Sequence, residues 1–212
     1  MSGNITQQKQ IRAFLTFELG QEKGEALFQK QAATLDAIIG KTTGKTKNQL
    51  AMLRQTILPR IALYQAFLNS GFSGEEATRH LKQYMLGVVA AKKHASMKRL
   101  EKLPGFYALY SHIFLHIMRT TDLQASIQQQ GKGFYDVTIT TCLWHTACTE
   151  NGCAELCRLF CDVDDITYGN LQKIGFSRTQ TLGYGQSCCD FHFFKKSTAE
   201  SPLTPEMQGK QK

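Results

Sequence analysis

The sequence predicts an α+β fold, in which an N-terminal helical bundle packs on a small antiparallel sheet with one inserted helix. Apolar residues recur at helical spacing through the first 130 residues. From residue 131 onward, short runs rich in β-branched and aromatic residues lie between glycine-bearing turns, as in strands. All seven cysteines of the 212 residues also lie in this second part, between Cys142 and Cys189. The two parts therefore differ in both structure and chemistry.

The helical region is predicted to cover residues 1–130. Ile11, Leu15 and Leu19 share one helical face, because they are four residues apart. Pro59 lies inside a long apolar run, and we expect it to interrupt a helix there because proline lacks an amide donor. Further on, Ser73 and Glu76 have the spacing of a capping box and predict the start of the next helix.

The second region is predicted to cover residues 131–196 and to form one compact unit with the helices. Its strands are predicted at 134–141, 174–182 and 189–195, with one helix at 150–161. The turn at Gly183–Gly185 joins the last two strands. Residues 197–212 are rich in Ser, Thr, Pro and Gln, and we expect a disordered tail there.

Composition limits the classes of partner. The net charge is +8, but the densest basic run, at residues 92–99, lies on a predicted helix and has no interleaved aromatic residues. The sequence has no run of ~20 apolar residues that could cross a bilayer. We therefore expect a small-molecule substrate, with no nucleic acid and no membrane. An odd number of cysteines without an apolar leader predicts free thiols and a cytoplasmic location.

The cysteine spacing leaves two interpretations open. Cys153, Cys157 and Cys161 recur every four residues, so they share one side of a helix and could simply be core. The chain has no Cys-x-x-Cys pair, which argues against zinc ribbons and iron–sulfur runs. We favour a site without a cofactor. The alternative is zinc or another divalent metal held by Cys142, Cys161 and Cys189.

The Cys189–Asp190 pair follows a glycine turn and begins the last predicted strand. Neighbouring residues of a strand point to opposite faces of the sheet. If Cys189 faces a pocket, Asp190 therefore does not, unless a bulge intervenes. Arg178 lies on the preceding predicted strand, where its guanidinium could bind a carboxylate or form an ion pair with a nearby acid. Three of those acids, Asp162, Asp164 and Asp165, are predicted to lie at a helix C-terminus.

Several stretches resemble the L-2-amino-thiazoline-4-carboxylic acid hydrolase family. They are residues 57–68, 72–77, 154–164 and 176–185, together with Cys142 and the segment 189–191. The resemblance implies a bacterial cytoplasmic hydrolase that opens a 2-aminothiazoline ring and yields N-carbamoyl-cysteine. It also implies a set of motif positions, namely Cys142, Cys161, Asp164, Arg178, Cys189 and Asp190. Four further cysteines stand outside that pattern, namely Cys148, Cys153, Cys157 and Cys188.

Ring opening needs attack at the amidine carbon and departure of the ring sulfur as a thiolate. We expect Cys189 to be the nucleophile, with Cys142 next, or else a water activated by a carboxylate or a metal. Asp164 or Asp190 would pair with the protonated amidine, and Arg178 would bind the substrate carboxylate. The alternative function is a non-catalytic sensor module that binds a metal or small ligand through the cysteine cluster.

Overall fold

The computed structural model describes residues 6–196, and helices form the part from Thr6 to Thr120. These helices are α1 (Thr6–Leu19), α2 (Gln21–Lys41), α3 (Lys47–Met52), α4 (Leu58–Leu68), α5 (Gly74–Lys82), α6 (Ala91–Leu100) and α7 (Phe106–Thr120). A π-helical turn at Leu53–Ile57 joins α3 to α4, and another at Gln83–Ala90 joins α5 to α6. None of the helices within residues 6–196 has the length and apolar character that crossing a bilayer requires.

Local side chains explain where several of these helices begin. The Ser73 hydroxyl accepts a hydrogen bond from the Glu76 amide, and the Glu76 carboxylate accepts one from the Ser73 amide. This is the predicted capping box, and it satisfies amides that have no partner inside the helix. Pro59 lies in the first turn of α4, where a missing amide donor costs nothing. The predicted break at Pro59 is absent, because Ile57 and Leu58 keep helical backbone angles and only the hydrogen-bond pattern changes, from π-helical to α-helical, just before Pro59.

The remaining elements form a small sheet with helices between its strands. They are β1 (Gln124–Gly131), β2 (Phe134–Cys142), α8 (Leu143–Glu150), α9 (Cys157–Tyr168), β3 (Ile174–Ser177) and β4 (Cys189–Lys195). The sheet is antiparallel with the order β1-β2-β4-β3, so β2 and β4 lie in its centre. The predicted α+β class is confirmed.

Two predicted boundaries of this region were wrong. Strand β1 lies inside the stretch that was predicted as helical, so the sheet begins at residue 124 and not after 130. Its sequence, Gln-Ala-Ser-Ile-Gln-Gln-Gln-Gly, has weak strand propensity, and pairing with β2 forms it. The single helix predicted at 150–161 is two helices, because Gly152 has a φ of 68° and separates α8 from α9.

The strand predicted over 174–182 is also shorter than expected. Pairing with β4 ends at Ser177, which lies opposite His192. Beyond it, the Asp190 carboxylate accepts hydrogen bonds from the amides of Thr179 and Gln180, so this backbone turns away from the ladder. The predicted tail at 197–212 lies outside the described residues.

Residues 6–196 form two apolar cores, one within the helical bundle and one under the sheet. The first includes Leu15, Ile61 and Phe67, and helices α8 and α9 pack on it. The second joins α7 to the sheet through Phe114 and Phe193, whose ring centroids are 5.0 Å apart. Helix α9 lies where the two cores meet, and its cysteines are therefore close to the sheet.

Candidate active site

A cavity of about 180 Å³ lies between the two cores. Helices α4, α6, α7 and α9 and strands β2 and β4 contribute its walls. Its charged or thiol-bearing lining residues are Arg60, Lys93, Cys142, Cys157, Cys161, Asp164 and Cys189. Its apolar lining includes Phe114, Ile139, Trp144, Phe160 and Phe191. A small polar ligand would thus meet several reactive groups inside an apolar wall, which is the usual character of a small-molecule site.

Strand β4 brings Cys189 to this cavity and directs Asp190 away from it. Cys189 is 5% exposed and lies opposite Ile139 of β2. Asp190 points to the other face, where its carboxylate accepts the amide hydrogen bonds of Thr179 at 2.9 Å and Gln180 at 2.8 Å. No bulge is present in the β2–β4 register. The expected alternation therefore holds, and Asp190 shapes the adjacent loop.

Cys142 reaches the cavity from the junction of β2 and α8. It is the residue that precedes the first turn of α8, close to the amides of Trp144 and His145. Burial raises the pKa of the Cys142 thiol to about 11, although those two amides oppose the rise. Cys142 is therefore a neutral thiol near pH 7.

Helix α9 directs Cys157, Cys161 and Asp164 into the cavity, because spacings of four and three residues share a helical face. The three nearby acids lie inside this helix and not at its C-terminus as predicted, since α9 continues to Tyr168. Asp165 forms an ion pair with Arg178 at 2.5 Å, and Asp162 accepts the Tyr184 hydroxyl at 2.8 Å. Of the three acids, Asp164 is the one that lines the cavity.

Asp164 has the electrostatics of a general acid or base. Burial raises the pKa of Asp164 to about 7, while the positive charges of Lys93 and Arg178 oppose the rise. Within the described part of the chain, no side chain donates a hydrogen bond to its carboxyl group. Near neutral pH both protonation states are populated, so this group can give or take a proton from a ligand.

Among the thiols that line the cavity, Cys161 is the one that its surroundings favour as a thiolate; the pKa of Cys148 is also lowered, by the thiols of Cys153 and Cys157, but Cys148 is fully buried outside the cavity. The thiols of Cys157 and Cys189 and the hydroxyl of Thr181 act as donors toward its sulfur, and Arg178 adds positive charge. These contacts lower the pKa of Cys161, and because Cys189 serves as a donor, the pKa of Cys189 is raised. The amide of Leu182 in turn donates to the Cys189 sulfur at 3.3 Å. Cys161 is also partly exposed to the cavity, so a ligand can reach it.

A close backbone approach holds the loop before β4 against Cys161. A side chain at Gly183 would place its Cβ 2.8 Å from the Cys161 sulfur and 2.9 Å from the Cys157 carbonyl carbon. Real Cβ atoms do not come so close, so only glycine lets this loop approach α9. The glycine predicted as a turn residue is therefore a packing residue of the site.

We expect Gly183→Ala to destabilise the protein by roughly 1–3 kcal/mol, because the helix backbone must move to admit the methyl group. Urea unfolding followed by circular dichroism measures this difference. Gly87→Ala is the matched control, since a Cβ there would meet nothing within 4 Å. Equal unfolding midpoints for Gly183→Ala and the wild type would show that the loop does not depend on this contact.

Two predicted site residues lie elsewhere, and two lining cations were missed. Arg178 does not line the cavity; its side chain is 8% exposed and paired with Asp165. Arg60 and Lys93 line the cavity instead. Arg60 is the single charged residue in the mostly apolar stretch 57–68, and a lone charge in such a run was the available signal for it.

The alternative of a metal centre receives no geometric support. Among residues 6–196, no group of three or more His, Cys, Asp or Glu side chains is arranged to hold a metal ion. Cys142, Cys161 and Cys189 share the cavity but stay free thiols, as do the other four cysteines. A metal held by these three sulfurs stays a prediction from the sequence.

Fold and cavity together define an α+β protein whose small, largely apolar pocket presents thiols and one carboxyl group to a ligand. The chain belongs to the L-2-amino-thiazoline-4-carboxylic acid hydrolase family, whose family model matches residues 49–193, well over half of the sequence. The matched range includes every charged or thiol-bearing residue of the cavity. No individual curated protein and no solved structure matches the chain.

Proposed function

We propose that this protein hydrolyses a cyclic amidine of the 2-aminothiazoline-4-carboxylate type, with Cys161 as nucleophile and Asp164 as general acid and base. The observation that carries the proposal is the shared cavity: a thiol favoured as thiolate lies one helical turn from a carboxyl group with a pKa of about 7. Membership in a family named for this hydrolase supports the substrate class.

The first step forms a covalent adduct. The Cys161 sulfur attacks the amidine carbon, and the bond between that carbon and the ring sulfur breaks. The ring sulfur leaves as a thiolate and takes a proton from the Asp164 carboxyl group, which is partly protonated near neutral pH. The opened ligand stays attached to Cys161, and Asp164 becomes a carboxylate.

Water completes the reaction. As water adds to the same carbon, the Asp164 carboxylate accepts one of its protons and the former ring nitrogen takes the other, and the Cys161 thiolate departs. The carbon keeps the water oxygen as a carbonyl, so the product is a urea that carries a free thiol, as in N-carbamoyl-cysteine. The overall change is substrate plus one water, and no oxidant or reductant is needed.

The roles of the other thiols follow from their positions. Cys189 and Cys157 act as donors toward Cys161 and hold its sulfur, so neither needs to react itself. This reverses the order expected from sequence, which favoured Cys189 and then Cys142. All seven cysteines are free thiols, and the mechanism requires Cys161 in its reduced form. Both points fit a reducing compartment such as the cytoplasm.

The test is turnover of 2-aminothiazoline-4-carboxylate in ¹⁸O-labelled water, followed by mass spectrometry. We expect N-carbamoyl-cysteine with the label in its urea carbonyl. Acid quenching during turnover should trap protein whose mass is increased by that of the whole substrate, because ring opening releases no fragment, and peptide mapping should place the adduct on Cys161. Binding of the amidine without any ring opening would refute the proposal and favour a ligand-binding sensor.

A further inference from the structure

Arg60 lines the cavity, yet the reaction steps above give it no part. The residue is 3% exposed. Its Nε donates to the Gln7 side chain at 3.2 Å, and its Cζ lies 5.3 Å from the centroid of the Phe160 ring. These contacts fix the orientation of the guanidinium, and within residues 6–196 its two terminal nitrogens form no hydrogen bond, although the residue lines the cavity.

The charge of Arg60 is only partly balanced inside the protein, because the Asp164 carboxyl group attracts it without forming an ion pair. Within residues 6–196, no carboxylate lies within ion-pair distance of its guanidinium. Burial lowers the pKa of Arg60 to about 10, so the side chain stays charged near pH 7. A buried cation without a partner is costly, so a ligand anion that paired with Arg60 would offset part of this cost.

The charge balance of the cavity points to an anionic ligand group. Arg60 and Lys93 both line it, and Lys93 does so from an exposed position on α6. Asp164 is the carboxyl group that faces them, and near neutral pH it is only partly ionised. Arg60 and Lys93 are thus the cations of a cavity whose other charged groups, the Cys161 thiolate and the partly ionised Asp164, are negative. A ligand that carries both a carboxylate and a cationic amidine therefore meets a group of opposite charge for each.

We propose that Arg60, assisted by Lys93 at the cavity mouth, binds the carboxylate of the substrate and makes the enzyme selective for cyclic amidines that carry one. The inference rests on the proposed function for the nature of the substrate. It assigns to Arg60 the role that the sequence suggested for Arg178. A planar guanidinium held from behind by Phe160 and Gln7 matches the two oxygens of a carboxylate.

The spacing of residues along α9 shows that Arg60 and Asp164 are close enough to contact the two ends of one small ring. Phe160, which lies under the Arg60 guanidinium, is one helical turn before Asp164. The carboxylate site and the amidine site are thus close neighbours within about 180 Å³. A ligand with its anionic and cationic groups on one five-membered ring fits this spacing, whereas a long or bulky amidine does not.

Calorimetric titration tests the inference without relying on turnover. The full chain with Cys161→Ala is titrated with 2-aminothiazoline-4-carboxylate and, separately, with 2-aminothiazoline, which lacks the carboxylate. We expect the carboxylate compound to bind roughly 10- to 100-fold more tightly, the usual worth of a charge-assisted hydrogen-bonded pair. In the same background, Arg60→Met should remove most of this preference, and Arg60→Lys should remove part of it because the fork is lost.

Further variants keep the test decisive if Arg60→Met fails to fold. Lys93→Met changes an exposed residue and should reduce the preference a few-fold, while Lys92→Met, next to it but outside the cavity lining, should not change it. An unchanged preference in folded Arg60→Lys and Lys93→Met would overturn the inference. If the wild type opens no ring but the Arg60-dependent preference is present, the inference stands and only the proposed reaction fails.

Discussion

Cys161→Ala should lower kcat/KM for 2-aminothiazoline-4-carboxylate by roughly 10³-fold or more, the usual consequence of removing a covalent nucleophile. Cys161 is the cavity thiol toward which Cys157, Cys189 and Thr181 donate, so it is the sulfur best prepared to attack. Alanine leaves the remaining cavity intact, and the residual rate would come from binding and from Asp164 alone. Steady-state kinetics with product detection by mass spectrometry measure the change.

Two further cysteine variants separate a nucleophile from a supporting thiol. Cys188→Ala is the matched control, because Cys188 is next to Cys189 but does not line the cavity, and we expect activity within a factor of about two. Cys189→Ala should reduce the rate without abolishing it, and should shift the pH dependence of Cys161 alkylation upward, because a donor is lost. Near wild-type activity in Cys161→Ala would instead indicate direct attack by water.

Asp164→Asn should lower the rate of turnover but raise the stability of the protein above pH 7. Turnover should fall by roughly 10²–10⁴-fold, the typical contribution of general acid–base catalysis. An amide can neither protonate the leaving sulfur nor accept the proton of water. Asp162→Asn is the control on the same helix, since Asp162 binds Tyr184 outside the cavity. Equal rates for Asp164→Asn and the wild type would exclude Asp164 from proton transfer.

The second effect is on stability, and it depends on pH. The pKa of Asp164 is raised by burial from 3.8 to about 7, so between these values the folded state binds more protons than the unfolded state. The free energy of unfolding therefore falls as pH rises through this range. Asparagine removes this penalty, so the variant should be more stable than the wild type above pH 7, by roughly 1–4 kcal/mol.

Urea unfolding at pH 4 and at pH 8 checks the expected difference. At pH 4 the two proteins should have similar free energies of unfolding, because the wild-type carboxyl group is protonated in the folded state. At pH 8 the Asn variant should unfold at higher urea concentration. A difference that is the same at both pH values would show that packing, and not the ionisation of Asp164, produces it.

The sequence alone determined the class of fold and the family. Helical periodicity, the Ser73–Glu76 capping box and the alternation of β4 are local patterns, and each was confirmed because neighbouring residues decide it. The same alternation correctly placed Cys189 and Asp190 on opposite faces. The ordered set of stretches from 57–68 to 189–191, with 176–185 as the most specific of them, carried the family resemblance, and all of them fall within the matched region.

The tertiary structure decided which of those residues meet, because cavities form between elements that are distant in the chain. Strand β1 has weak strand propensity and forms because it pairs with β2, and a local sequence pattern does not show such pairing. In the sequence, Arg60 and Arg178 are both simply arginines. In the folded protein, Arg60 is buried against the Phe160 ring and lines the cavity, whereas Arg178 forms an ion pair with Asp165 outside it. The protonation preferences of Cys161 and Asp164 likewise arise from neighbours contributed by other elements, and desolvation and donor contacts exist only after folding.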